Sequence, residues 1–240
     1  ASEFYAQYCL YKILFRYCKP QRMCIVQNGI QKGLFAAAHE MGVEVLEFQH
    51  GQLSRNHPAY SYPDSKEVTA EKIYHPAKLL TFGSFWHKNR VYPGVENVVI
   101  GNNSYFVSKE MPDTLGNKKL LVISNFSDGE LLARYVKDVL ADDGNFFFYF
   151  KLHPNQYGEF DYYTDLFKDY PNVKVVSDGQ SVIQLLAKVE AVFLFHSTVA
   201  VEALSAGRKV FVFKKSAYLS MDFVFDEPGV YLVENVSDLL

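Results

Sequence analysis

Histidines follow two of the apolar runs in this chain, at the points where those runs end. His50 comes after "VEVLEFQ" and precedes Gly51, and His153 comes after "NFFFYFKL" and precedes Pro154. An imidazole can donate or accept hydrogen bonds and exchanges a proton near neutral pH. We therefore consider His50 and His153 as candidates for acid–base chemistry or for binding a negatively charged group.

A second candidate site lies in "HSTVAVEALSAG", residues 196–207. If a helix begins after the histidine, Ser197 and Thr198 place two hydroxyls and free backbone N–H groups at its positive end, which suits a phosphate. Glu202 lies one turn beyond Thr198, where its carboxylate could accept hydrogen bonds from ribose hydroxyls. Two simpler interpretations stay open: a serine N-cap with a solvated glutamate, and a His153 that only stabilises the turn before its proline.

Short apolar runs alternate with helical patterns after residue 20, which is typical of parallel sheets with crossover helices. We predict an α/β protein with two Rossmann-like lobes, residues 1–112 and 113–240, joined by a linker at 108–119. The first lobe is short for a complete Rossmann-like domain, so we expect it to be incomplete. The second has near-continuous apolar strands, which indicate a doubly wound parallel sheet covered on both faces.

The carboxyl ends of such strands are where ligands bind in open α/β sheets. Ser124 and Asn125 end one predicted strand of the second lobe, and Asn125 is therefore a further candidate for ligand binding. In the first lobe, we expect Gly51 to let the chain turn sharply and leave His50 at the carboxyl edge. A neutral His50 could then act as a base, or it could merely satisfy backbone groups or contact phosphate.

The composition excludes several classes of protein. Hydrophobic residues make up 49% and charged residues 21%, and the net charge is -3, so we expect a globular protein that does not bind nucleic acid. The three cysteines lack C-x-x-C spacing, which argues against disulfides and zinc. With no signal peptide or membrane-spanning run, we expect a cytoplasmic location. The aromatic and basic helix predicted at residues 3–19 either packs against protein or rests on the inner face of an anionic membrane.

Familiar motifs for cofactors and metals are absent from the sequence. There is no G-x-G-x-x-G, no P-loop and no G-x-S-x-G elbow. Asp142 and Asp143 fall in a predicted helix-to-strand turn and lack the Asp-x-Asp spacing of metal-dependent sugar transferases. We therefore expect neither a metal nor a cofactor, and any bound phosphate would be neutralised by helix ends and side chains.

The order of "FQHG", "KLHPN" and "HSTVAVEALSAG" at strand ends of two successive lobes resembles GT-B type glycosyltransferases. More narrowly, the chain is similar to bacterial enzymes of capsule, teichoic acid and lipopolysaccharide assembly, such as CDP-glycerol glycerophosphotransferases and bacterial sialyl- and polysialyltransferases. The resemblance covers residues 22–235. Gln49 departs from it, since the glycerophosphotransferases often have an aromatic residue there, and the acidic motif of the sialyltransferases is not evident.

This resemblance implies a metal-independent, inverting transfer of a sugar from a nucleotide-sugar to an oligosaccharide or lipid-linked glycan. Nucleotide phosphate would be stabilised by His153, Ser197 and Thr198, and ribose would be held by Glu202. His50 would be the base, with Asn125 contributing at the neighbouring strand end. Two alternatives remain: an enzyme similar to UDP-N-acetylglucosamine 2-epimerases, and a catalytically silent nucleotide- or glycan-binding module.

Overall fold

The structure is a computed structural model, and it forms two compact units. The described part of unit 1 extends to Gly101, and the described part of unit 2 begins at Gly116. The predicted boundary at residue 112 and most of the linker at 108–119 lie outside the described residues. Those residues are 2–26, 31–57, 60, 74–88, 95–101, 116, 118–215 and 218–235.

Unit 1 contains a parallel sheet that has four strands in the described part of the chain, in the order β1-β2-β3-β4. A 3-10 helix, Ser84–Lys88, follows β3. The helices and strands are α1 (Ser2–Cys18), β1 (Arg22–Val26), α2 (Lys32–Met41), β2 (Glu44–Phe48), β3 (Lys78–Thr81) and β4 (Glu96–Val99).

Helix α2 covers the sheet of unit 1 because its apolar residues recur at helical spacing. Leu34, Phe35 and Ala38 are buried and belong to one hydrophobic cluster with residues of β1 and β2. The helix ends at Gly42, whose φ of 67° lies in the left-handed region that favours glycine. Glycine at position 33 is required by close packing, because a Cβ there would lie 2.5 Å from the backbone oxygen of Phe4 in α1.

Helix α1 confirms the predicted N-terminal helix and packs against protein through one face, where Phe15 is buried. The opposite face leaves Leu10, Ile13 and Tyr17 exposed. Contact of this face with a membrane stays a prediction. Within the described ranges, no helix combines the length and the apolar character needed to cross a bilayer.

Unit 2 contains a parallel sheet whose six strands, among the described residues, run in the order β10-β9-β8-β5-β6-β7. The order reverses between β5 and β8, so the prediction of a doubly wound sheet is confirmed. Its elements are β5 (Lys119–Ile123), α3 (Gly129–Asp142), β6 (Phe147–Lys151), α4 (Phe160–Leu166), β7 (Val173–Val176), α5 (Val182–Leu186), β8 (Ala191–Leu194), α6 (Val199–Ser205), β9 (Lys209–Phe213) and β10 (Val230–Val233).

The core of unit 2 is built from aromatic side chains on neighbouring strands. Phe148 and Phe150 of β6, Phe193 of β8 and Phe213 of β9 are almost fully buried, and Phe193 and Phe213 meet edge to face at 5.7 Å. Strands that are buried on both faces favour apolar side chains in their interiors. Polar groups therefore concentrate where the strands end.

Candidate nucleotide site

A cavity of about 290 Å³ lies at the carboxyl edge of the unit 2 sheet. Residues that end β5, β6 and β8 line it, together with the loop that follows β7 and the start of α5. This is the switch point of the sheet, where a ligand is expected in a doubly wound fold. The lining residues are Ile123, Ser124, Lys151, Leu152, His153, Pro154, Tyr157, Asp178, Gln180, Ser181, Val182, Ser197 and Val199.

His153 and Pro154 line this cavity, as their position after a strand predicts. His153 is the N-cap of a short 3-10 helix, Pro154–Glu159, and Pro154 occupies the first turn, where its missing N–H costs nothing. The imidazole Nδ1 accepts a hydrogen bond from the backbone N–H of Asn155 at 3.2 Å. His153 thus stabilises the turn and borders the cavity, so the simpler interpretation and the functional one are compatible.

Ser197 lines the cavity immediately before α6. Its hydroxyl accepts a hydrogen bond from the N–H of Val199 at 3.2 Å, and its own N–H donates to the sulfur of Met221 at 3.3 Å. The expectation of a free N–H at Ser197 is therefore wrong, because the side chain of Met221, in the 3-10 helix Tyr218–Met221, reaches it. Thr198 follows as the N-cap of α6, and its side chain makes no capping bond.

Asn125 lies beside the cavity and joins β5 to β8. Its Nδ2 is 3.2 Å from Nε2 of His196, while its Oδ1 accepts from the backbone N–H of Asp128 at 2.8 Å. Burial lowers the pKa of His196, and the nearby Asp128 carboxylate opposes that shift. A neutral His196 can accept the hydrogen bond from Asn125.

Glu202 lies on α6 and is half-buried, although it does not border the cavity. Burial raises the pKa of its carboxyl group, because an apolar environment disfavours the charged form. Among the described residues, no side chain or backbone group hydrogen-bonds to this carboxyl group. Because this partly buried carboxylate has no hydrogen-bond partner, a ligand hydroxyl that donates to it would stabilise it.

Lys151 is a residue of the cavity that sequence reasoning missed. It is 7% exposed, and its ammonium group donates to the hydroxyl of Tyr157 at 3.0 Å and to the backbone oxygen of Ser177. The only signal in the sequence was a lysine at the end of the apolar strand "FFYFK". Because its charge is held at the cavity wall, it favours an anionic ligand there.

Gln180 was also missed. Its side-chain oxygen is buried, and no donor for it exists in the part of the chain that the structure describes. Buried polar atoms without a partner are rare in native proteins. At the wall of a cavity, the missing donor is expected from a ligand or from water.

His50 lies in unit 1, exposed at the end of β2. The neighbouring Gln49 is 3% exposed and holds the turn: its Oε1 accepts from the N–H of Phe82 at 2.9 Å and its Nε2 donates to the oxygen of Gly51 at 2.7 Å. Gly51 does not have a positive φ, and a Cβ would meet no described atom within 4 Å. The expectation that glycine is needed for this turn is therefore wrong, since the glutamine side chain stabilises it.

Buried ionisable groups lie below this turn in unit 1. Burial raises the pKa of Tyr60, and the fully buried carboxylate of Glu47 in β2, to which the phenol is hydrogen-bonded, raises it further. Burial lowers the pKa of Lys32 to about 8, and Glu47 opposes that shift. Burial also lowers the pKa of His75 to about 4. The alternation in "EVLEF" predicted an ordinary half-buried strand and gave no signal of this cluster.

The described ranges of the chain also bear on metal binding. They contain no group of three or more His, Cys, Asp or Glu side chains arranged to hold an ion. The absence of a metal requirement stays a prediction.

Comparison with sequence families and known proteins identifies one family. Residues 129–226, which lie in unit 2 and include the cavity residues from Lys151 to Val199, match the family of capsule polysaccharide biosynthesis proteins. No curated protein matches the chain in sequence.

Solved structures resemble the chain over almost its whole length. They include TarM, with 15% identity and a TM-score of 0.54, covering 97% of this chain and 49% of TarM. The UDP-GlcNAc 2-epimerase of Methanocaldococcus jannaschii in complex with UDP-GlcNAc and UDP has 14% identity and a TM-score of 0.60, covering 98% and 71%. The pneumococcal O-GlcNAc transferase GtfA in complex with UDP and GlcNAc has 13% identity and a TM-score of 0.54, covering 95% and 49%.

At these identities the comparisons show the fold. The chain has the two Rossmann-like parallel sheets of the GT-B architecture, so the predicted resemblance is confirmed at that level. It spans about half the length of TarM and GtfA.

Proposed function

We propose that this chain belongs to a glycosyltransferase that moves a sugar from a nucleotide-activated donor to a growing bacterial surface glycan. The observation that carries the proposal is the cavity at the switch point of unit 2, where Ser124, Lys151, His153 and Ser197 come together. The match of residues 129–226 to capsule biosynthesis proteins supports the same class of reaction.

The donor phosphate is assigned to the side of the cavity formed by Lys151, His153 and Ser197. When the bond from the sugar to the nucleotide breaks, negative charge develops on the leaving phosphate and must be stabilised. The Lys151 ammonium supplies a positive charge in a partly desolvated position, and hydroxyl and imidazole donors supply hydrogen bonds. Side chains alone could thus perform the task that a divalent metal performs in other transferases.

The nucleoside is assigned to polar groups beside the cavity, and two of them, the Glu202 carboxyl group and the Gln180 side-chain oxygen, have no hydrogen-bond partner among the described residues. Glu202 would accept hydrogen bonds from ribose hydroxyls, with Thr198 on the same helix, and the unpaired oxygen of Gln180 would accept from the base or the sugar. Asn125 would contribute through the adjacent strand end. UDP is bound in the structures of both GtfA and the M. jannaschii epimerase, which makes a nucleotide a reasonable first ligand to test.

Unit 1 is assigned the acceptor, an oligosaccharide or a lipid-linked glycan. His50 is exposed on a turn that Gln49 holds in place, and a neutral imidazole can take the proton from an acceptor hydroxyl. Direct attack by that hydroxyl on the sugar would invert the configuration of the anomeric carbon. The reaction would need neither a metal nor a cofactor.

The test is titration with UDP, GDP, CDP and CMP by calorimetry, followed by turnover with the matching nucleotide-sugars and a glycan acceptor. We expect one nucleotide to bind and free nucleotide to appear only when the acceptor is present. EDTA should leave both results unchanged. No binding by any of the four, or activity that disappears with EDTA and returns with magnesium, would overturn the corresponding part of the proposal.

The second candidate function is epimerisation of a nucleotide-sugar. It is favoured by the TM-score of 0.60 with the M. jannaschii epimerase, which exceeds the 0.54 found for TarM and GtfA. An enzyme that inverts carbon 2 of the sugar must break its C–H bond. Incubation with UDP-GlcNAc in D₂O separates the two functions, because only an epimerase incorporates deuterium at that carbon without an acceptor.

A further inference from the structure

A buried glutamine connects His153 to the ends of two strands. Gln156, on the 3-10 helix Pro154–Glu159, is 1% exposed and does not line the cavity. Its Oε1 accepts from the hydroxyl of Ser124 at 2.9 Å and from the backbone N–H of His153 at 3.3 Å. Its Nε2 donates to the hydroxyl of Tyr163 at 3.1 Å. One amide thus links β5, the end of β6 and α4.

The orientation of this amide follows from the chemistry of its partners. The backbone N–H of His153 can only donate, so the atom facing it must be the oxygen of Gln156. Rotating the amide by 180° would place an NH₂ group against that N–H, and a buried donor facing a donor is unfavourable. The network therefore has a single arrangement with all of these bonds formed.

The same reasoning determines the protonation of the His153 ring. The backbone N–H of Asn155 donates to Nδ1 at 3.2 Å, so Nδ1 carries no proton. In the neutral ring the proton must then lie on Nε2. His153 therefore offers a donor at the cavity, and its Nε2 cannot accept a proton until it has given one up.

Packing around Gln156 leaves the network no room to rearrange. A Cβ on Gly129, the first residue of α3, would lie 2.2 Å from the hydroxyl of Tyr163, 2.7 Å from Nε2 of Gln156 and 2.9 Å from the hydroxyl of Ser124. All three atoms thus press against the bare backbone of α3. A glutamine enclosed in this way can hold the backbone of His153 in one position.

We infer that Gln156 is a positioning residue that holds His153 as an Nε2–H donor toward the leaving phosphate. This inference rests on the proposed function, because the phosphate is the acceptor that the cavity would supply. His153 would donate a hydrogen bond to the departing oxygen without taking a proton from the acceptor sugar. The roles of the two histidines would then differ, with donation by His153 in unit 2 and base catalysis by His50 in unit 1.

The experiment is ¹⁵N NMR of the histidine rings in the free protein, with the His153 signals identified from a His153→Ala variant. The neutral His153 ring of the wild type should be the Nε2–H tautomer. Gln156→Leu, which removes both the acceptor and the donor, should produce a measurable share of the Nδ1–H tautomer. Gln156→Glu keeps an oxygen facing the N–H of His153, and its protonated form, which can still donate to Tyr163 or to the Glu159 carboxylate 3.4 Å from Nε2 in the wild type, should restore the wild-type pattern.

A matched control is available on α5. Gln184 forms the same kind of capping box with Ser181, its side chain accepting from the N–H of Ser181 at 2.9 Å. Gln184→Leu therefore loses a helix-capping bond without touching the His153 network, and the His153 tautomer should not change. If Gln156→Leu does not fold, Ser124→Ala combined with Tyr163→Phe loosens Gln156 from both sides, and the same Nδ1–H share is expected.

Two results would overturn the inference: an Nδ1–H tautomer in wild type, or an unchanged tautomer in the folded Gln156→Leu or double variant. Titration with UDP and CMP provides the second readout, because the Nε2–H resonance of His153 should move when a nucleotide binds. Binding without that movement would refute donation by His153. If none of UDP, CMP, GDP and CDP binds, the proposed function fails, and with it the hydrogen bond from His153 to a leaving phosphate. The tautomer data would still decide whether Gln156 positions His153.

Discussion

The side-chain amide of Asn125 lies 3.2 Å from Nε2 of His196, although the two residues are 71 positions apart. The register of β5 against β8 pairs Leu120 with Ala191 at the same separation, so the two side chains meet because the pairing continues past the strand ends. Since the amide nitrogen can only donate, Nε2 of His196 must be unprotonated for this bond to form. Protonating His196 would break the link between the two strands at the switch point.

The first prediction concerns pH. Burial lowers the pKa of His196 in the folded protein below its ordinary value near 6.5. The unfolded chain then binds a proton that the folded protein does not, so the free energy of unfolding falls as pH drops below 6.5. One such group contributes a slope of at most about 1.4 kcal/mol per pH unit. Urea unfolding at pH 7.5 and 5.5 should show a smaller loss for His196→Gln than for wild type.

His57 and His75 also have lowered pKa values, so the variant should reduce the pH dependence without abolishing it. If the free energy of unfolding falls equally in His196→Gln and in wild type between pH 7.5 and 5.5, His196 does not contribute to the pH dependence of stability.

The second prediction concerns Ser197. Its hydroxyl lines the cavity, and loss of one hydrogen bond to a charged ligand costs about 1.5–3 kcal/mol. Ser197→Ala should therefore weaken nucleotide binding by on the order of ten- to a hundredfold, measured by calorimetry. Ser205→Ala, at the exposed opposite end of α6, is the matched control and should bind normally. Normal binding by Ser197→Ala would remove this residue from the phosphate site.

The third prediction concerns Lys151. Lys151→Met keeps the length of the side chain but removes the charge at the cavity wall, so nucleotide affinity should fall by on the order of tenfold or more and become less sensitive to salt. Lys174→Met removes an exposed charge from the neighbouring strand β7 and should leave both properties unchanged. Equal effects of the two variants would indicate only a general contribution of positive charge.

The fourth prediction concerns His50. If it is the base, His50→Ala should lower turnover by about a hundred- to ten-thousandfold while nucleotide affinity stays nearly constant. His39→Ala, an exposed histidine of α2 in the same unit, serves as the control. A parallel fall in affinity and turnover would instead make His50 a ligand of the donor.

The fifth prediction concerns Gly129. Gly129→Ala should destabilise unit 2 by about 1–3 kcal/mol, because the new methyl group would overlap the hydroxyl of Tyr163. Tyr163→Phe removes that hydroxyl and should recover part of the loss in the double variant. Gly158→Ala is the control, since a Cβ there meets no described atom within 4 Å. Additive effects of Gly129→Ala and Tyr163→Phe would contradict the predicted contact.

Much of the architecture could be predicted because local patterns carry it. The run "GIQKGLFAAAHEMG", residues 29–42, predicts a helix that closes on a glycine, and in the structure α2 ends at Gly42 in the left-handed region. The apolar run before His153 predicts β6, and the doubly wound order then places its end beside those of β5 and β8. Hydrophobic periodicity suffices here because it depends only on neighbouring residues.

The candidate site could be predicted only in part. His153 and Ser197 were found because a histidine or a hydroxyl after a buried strand is conspicuous, and both line the cavity. Lys151 and Gln156 were missed because nothing near them in sequence reveals that a lysine or a glutamine will be buried. The role predicted for Gly51 was wrong. A glycine after a histidine suggests a turn that only glycine can form, whereas the side chain of Gln49 stabilises this turn and a Cβ at position 51 would meet no described atom.

The elements, their order and the strands that end in polar residues could be read from the chain alone, since these follow from the spacing of apolar side chains. Which of those strand ends meet depends on the three-dimensional packing of the sheet. Asn125 contacts His196 because β5 pairs with β8 across the switch point, and Gln156 reaches Ser124, His153 and Tyr163 because three elements converge there. Such contacts depend on strand order and on exclusion of water, which are properties of the packed sheet as a whole.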